Sequence, residues 1–166
     1  MAQDYCKESD SPDEMKKRSK KMVDMFKFSI GKPMQNFPAP PFTKWLNGTV
    51  LDVKRGEVEI EYEVRPEMAN PTGLLHGGMQ TSILDECIGI ACLTLGHEGF
   101  IISIDMHIDF LGKVKVGETV VGRGEVVREG KKIVNAKAEL KDKRNEMIAV
   151  AQSNLLITSY KSRHFK

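Results

Sequence analysis

The stretch "NPTGLLHGGMQTSILDECIGIACLTLG", Asn70–Gly96, carries a long apolar run from Leu74 to Leu95 with few β-branched residues in its first half. Its length and its Leu, Met, Ala and Ile content predict a buried helix rather than a strand. A helix apolar on most sides must be wrapped by other elements, and a curved antiparallel sheet does this best. Two glycines, Gly77 and Gly78, follow His76 at the helix entry, and one carboxylate, Asp85, stands among Ile83, Leu84, Ile88 and Ile90.

The flanking sequence supplies that sheet. In "EVEIEYEV", Val58, Ile60, Tyr62 and Val64 alternate with four glutamates, which is a strand with one wet face. It pairs across "KRG" with the preceding "WLNGTVLDV" as a hairpin. Beyond the helix come "FIISIDMHIDFL", "ETVVGRGEVVR", "KIVNAKAELK" and "MIAVAQSNLLIT", four strands separated by "KVKVG", "EGK" and "DKRNE" and expected to form a meander.

Upstream, residues 1–10 read as disordered, and "SPDEMKKRSKKMVDMFKFSIG" reads as a helix. Ser11 suits the N-cap, Pro12 the first turn, and Asp13 and Glu14 the positive end of the dipole. Met15, Met22, Val23, Phe26 and Ile30 make its apolar stripe, and "NFPAPPF" is a connector that no helix crosses. This divides the chain into an N-terminal extension (1–44), one folded domain (45–158) and a short tail (159–166).

Composition excludes several classes. A formal net charge of +2 without a basic and aromatic stripe argues against nucleic acid. Cys6, Cys87 and Cys92 lack CxxC spacing, which fits a reducing compartment, and four scattered histidines predict no metal site. With no apolar signal core and no window near the ~20 apolar residues of a membrane span, the protein is expected to be cytoplasmic.

Two strands, a buried helix opened by "HGG" and four further strands resemble the α+β hotdog fold, a curved antiparallel sheet wrapped around a long central helix, here with an extra N-terminal helix. The string "NPTGLLHGGMQTSILDE" is similar to acyl-CoA thioesterases of that fold, of the phenylacetate-pathway and 4-hydroxybenzoyl-CoA type. The resemblance spans Trp45 to Thr158 and implies hydrolysis of an acyl-CoA without metal or redox cofactor. It implies Gly77 as the oxyanion-hole glycine, His76 as a positioning residue, Asn70 as a support near the attacking water, Asp85 as general base or nucleophile, and Ser103 as a holder of that water or carboxylate. Gly78 and Met79 follow as substrate-binding candidates.

The residues themselves say something compatible. Thioester hydrolysis needs donors for a developing oxyanion and a base or nucleophile. Free N–H groups at a helix start are such donors, and glycines let a carbonyl approach them. Gly77 and Asp85 are eight residues apart, however, so one helix separates them by about 12 Å. Two helices packed antiparallel about a two-fold axis would bring Gly77 of one to Asp85 of the other, which predicts an obligate homodimer. The family implies the same, often as a dimer of dimers.

Bland readings stand beside these. His76 would serve as a mere cap, and Asp85 as a carboxylate paired for structure. Ser103 shares a strand face with Asp105, His107 and Asp109, as on any half-exposed strand. Glu86 follows Asp85 directly and points about 100° away, leaving it the lesser candidate. Arg128, Lys131 and Lys132 around Gly130 form a basic hairpin tip suited to the phosphates of coenzyme A. Gly122 and Gly124 suit close backbone approach or bulges. The run Lys16–Lys21 reads as a solvated face rather than an anchor for lipid or carrier protein. Phe26 and Phe28 on the same helix suit either a cover over part of the acyl tunnel or the oligomer surface, and the acyl pocket is expected along the dimer interface, lined by Met79, Ile83 and Ile88. The rival readings are an acyl-CoA-binding or sensing module without turnover, and a hydroxyacyl dehydratase. The latter is disfavoured because such enzymes resemble a different motif, with a histidine, a helix glutamate and a proline near the histidine, and "LLHGGM" has no such proline.

Overall fold

A computed structural model describes residues 11–160 of the 166, so the disordered start expected for residues 1–10, Cys6 and the end of the tail lie outside the described residues. Helix α1 (Pro12–Phe28) begins as its sequence requires, with Ser11 Oγ accepting from the Glu14 N–H at 3.3 Å. It stops earlier than the apolar stripe predicted. Ser29 Oγ donates to the Phe26 carbonyl, Gly31 takes φ +74°, and Ile30 is left exposed.

The face that α1 buries is not purely apolar. Ser19 is buried and donates to the Thr94 carbonyl at 2.7 Å, while Arg18 Nε donates to the Gly96 carbonyl at 2.8 Å. Thus only the lysines of the Lys16–Lys21 run face water.

The proline-rich connector ends in a short helix, α2 (Pro41–Leu46), which takes Trp45 and Leu46 out of the expected first strand. Proline at the first helical position opens a helix that it would break further in. Asn47, at φ +55°, closes it in the left-handed conformation. Strand β1 (Thr49–Lys54) therefore starts four residues later than expected and pairs with β2 (Glu57–Glu63) across a turn with Gly56 at φ +79°. On β2, Val58, Ile60 and Tyr62 are buried, in the alternation the sequence displays.

Central helix α3 (Gly77–Leu93) is followed by β3 (Ile101–Phe110), β4 (Thr119–Glu129), β5 (Ile133–Asp142) and β6 (Met147–Ile157). All six strands form one antiparallel sheet in the order β1-β2-β4-β5-β6-β3. The last four strands are therefore not a simple meander: β3 leaves β4 and pairs with β6 at the far edge. The link between them is too long for a tight hairpin. It is held elsewhere, with Val114 O accepting from Leu75 N–H and Gly117 N–H donating to Val64 O.

Ile83, Leu84, Cys87, Ile88 and Ala91 of α3 bury completely against the concave face of the sheet. Gly122 and Gly124 of β4 make this approach possible. A Cβ on Gly122 would sit 2.7 Å from Cys87 Sγ, and one on Gly124 would run into the Cys87 carbonyl. Among the described residues, no helix is long and apolar enough to cross a membrane.

Candidate active site

The entry to α3 is built by a compact loop. Asn70 Oδ1 accepts from the Thr72 N–H (2.9 Å), the Thr72 hydroxyl (2.7 Å) and the Leu74 N–H (3.2 Å), and its own N–H donates to the Leu74 carbonyl. This arrangement orients the chain into the helix. His76 is the N-cap, and its Nδ1 accepts from the Gly78 N–H at 2.9 Å. The Gly77 N–H has no acceptor among the described residues. A free donor thus stands at the positive end of α3, with the Phe110 ring 3.4 Å from where a Gly77 Cβ would be. Met79 is half-buried within the first turn.

Two turns further, Asp85 is exposed rather than sunk in the apolar core, and Ser103 Oγ donates to its Oδ1 at 3.1 Å. A bulge on β3 creates this pair. The register with β6 slips between Ser103 and Asp105, so Ser103 lies opposite buried Leu155 while Asp105 lies opposite exposed Asn154. Residues directly opposite share a face, so Ser103 turns toward α3 and parts from Asp105, His107 and Asp109, with which strict alternation would group it. Asp105 accepts from both Asn154 nitrogens, and these bonds hold its carboxyl below the usual range.

The withdrawn carboxylate is Glu86. Burial raises its pKa, a hydrogen bond from Thr43 of α2 opposes that shift, and the Asp85 charge adds to it. Despite the angle between them on the helix, Asp85 and Glu86 border the same cavity of about 710 Å³. Its α3 wall is Asp85, Glu86, Gly89, Ile90 and Leu93. Ile83 and Ile88, expected in the pocket, are instead fully buried on the sheet side of the helix, and Met79 does not border the cavity either.

The opposite wall comes from the N-terminal extension, including Phe26, Phe28, Met34 and Phe37. Phe26 and Phe28, on the helix whose role the sequence left open, both border this cavity. Sequence reasoning missed Gly89, although a glycine four residues after Asp85 on an apolar helix is a legible signal. It also missed Met34 and Phe37, which only folding of the connector brings here.

The basic hairpin tip lies apart from this cavity. Arg128, Lys131 and Lys132 are exposed, and Gly130 is confined by a turn in which its N–H donates to the Ile133 carbonyl at 3.0 Å. Neither thiol on α3 is suited to nucleophilic work: burial pushes Cys87 and Cys92 up to about 12.

Comparison with known proteins agrees with this architecture. The thioesterase superfamily profile matches residues 72–149. Acyl-coenzyme A thioesterase 13 of Homo sapiens is 30% identical over 97 residues, covering 57% of this chain and 68% of that protein. The E. coli PaaI protein of the phenylacetic acid degradation operon superposes with a TM-score of 0.70 at 17% identity, over 90% of this chain and 96% of that one. A Streptococcus mutans protein solved with acetyl-CoA bound gives 0.65 at 20% identity, over 70% and 92%. With the sheet wrapped on α3 and these likenesses together, the chain belongs to the thioesterase superfamily and has its hotdog fold.

Proposed function

We propose that the protein hydrolyses acyl-CoA thioesters in composite sites, each made from two copies of the chain. The observation that carries this reading is the Asp85–Ser103 pair at the border of a large apolar cavity, on the same helix whose far end presents the free Gly77 N–H. The two groups lie about 12 Å apart along one helix axis, too far for a single carbonyl. Strand β3 supports the pairing of copies. It is an edge strand of ten residues, and Phe100, Ile102, Ile104 and Phe110 on or beside it are exposed. A long apolar edge of this kind is an open template for another chain.

In the composite site the Gly77 N–H polarises the thioester carbonyl, with the helix dipole favouring the oxyanion. The partner's Asp85, held by the partner's Ser103, either takes a proton from water as that water attacks or attacks the carbonyl itself, forming a mixed anhydride that water then hydrolyses. Coenzyme A leaves as the thiolate, takes up a proton, and the acyl group ends as the free acid. His76 and Asn70 hold the helix entry in place, and Gly78 and Met79 flank the thioester. The Arg128–Lys132 tip binds the phosphates of coenzyme A.

The test is thiol release from short, long and aromatic acyl-CoAs, with oligomer mass measured in parallel. Wild type should turn over, and Asp85→Asn should lose at least about a hundredfold, as removal of an acid–base group does. Unchanged turnover in Asp85→Asn would move the role to Glu86. Acyl-CoA binding without any turnover would make the protein a sensing module.

A further inference from the structure

We infer that the N-terminal extension, which lies outside the superfamily match, forms the acyl-binding wall of the site within the same chain, and that Gly89 sets the depth of the pocket. The inference rests on the thioesterase reading above and names the kind of acyl group it would take.

Gly89 stands just over one turn beyond Asp85 and borders the cavity. Glycine is among the least favourable residues in a helix interior. Nothing in the chain's own packing demands it there. Its φ is not positive, and a Cβ built on it meets no atom within 4 Å. This contrasts with Gly122 and Gly124, where the facing helix excludes a side chain. What the missing side chain preserves at position 89 is empty volume, beside the carboxylate pair and facing the aromatic residues of the extension.

The wall opposite is fixed rather than loosely laid on. Ser19 and Arg18 bond the carbonyls just past the end of α3, and Gly31 and Met34 N–H groups donate to the Val50 and Gly48 carbonyls. The cavity therefore has two rigid sides. At about 710 Å³ it is far larger than a two-carbon acyl group requires. Pockets of this size hold drug-sized ligands, which points to an apolar acyl group on the order of ten or more carbons.

The experiment compares kcat/KM for dodecanoyl-CoA and butyryl-CoA in wild type, Gly89→Ala and Gly89→Leu. Binding of dansyl-undecanoic acid, oligomer mass and circular dichroism are followed in parallel. The dodecanoyl-to-butyryl ratio should fall at least about tenfold in Gly89→Leu, since a filled apolar pocket discriminates on that scale, and less in Gly89→Ala. The probe should bind correspondingly more weakly. An unchanged ratio in a folded, active Gly89→Leu overturns the inference. So does a change of oligomer mass, which would give this helix face to a second copy. If wild type hydrolyses no thioester, yet binds the probe and loses it in Gly89→Leu, the pocket stands and the hydrolytic reading falls.

Discussion

Asp85 and Glu86 are neighbours on α3, yet Asp85 is exposed and Glu86 is largely withdrawn from water. The withdrawn group favours its proton, because burial penalises the charged form more than the Thr43 hydrogen bond relieves it. A carboxyl whose folded pKa is raised binds more protons in the folded state than in the unfolded one. Its favourable contribution is complete below the unfolded pKa of about 4.3 and is lost as pH rises through the folded value. Glu86→Gln removes this titration. Its melting temperature relative to wild type should therefore climb between about pH 4 and pH 7, measured by calorimetry across that range. A difference that is flat with pH would mean that Glu86 ionises as freely as an exposed carboxylate.

At the scale of elements, the seat of α3 on β4 is decided by missing side chains. A Cβ at Gly124 would strike the α3 backbone at Cys87, and backbone cannot step aside as a flexible side chain can. Gly124→Ala should cost about 1–3 kcal/mol or more in denaturant unfolding, the range for overpacking a dense core. The same change at Gly89, where the space is open, should raise stability by about 0.5–1 kcal/mol through helix propensity alone. Opposite signs at two glycines would separate the one that the fold needs from the one that the cavity needs.

For the whole molecule, the exposed edge strand and the split between Gly77 and Asp85 make a joint prediction. Ile104, 57% exposed in the β3 bulge, should tolerate lysine in the single chain, and a charge on an edge strand opposes pairing with another copy. Ile104→Lys should halve the mass seen by light scattering while keeping the circular dichroism of wild type, and turnover should fall with the loss of the dimer. A folded monomer with full activity would show that one chain suffices and would undo the composite site.

The element order, five of the six strands to within about a residue, the N-cap at Ser11 and the helix entry at His76 were legible in the sequence. They depend on local matters such as alternation, caps and helix length, which neighbouring residues specify. The first strand was misjudged because Pro41 opens a helix where a proline-rich run suggested none. What lay beyond local reach were the crossing of β3 to the far edge, the bulge that turns Ser103 toward Asp85, and the folding of the extension onto Gly89. Each depends on partners more than ten residues away: β6 for the register, and α3 for the wall. Local propensity determined which residues became helix or strand. Only the packing of distant surfaces decided which of two adjacent carboxylates met a serine and which was buried beside an apolar cavity.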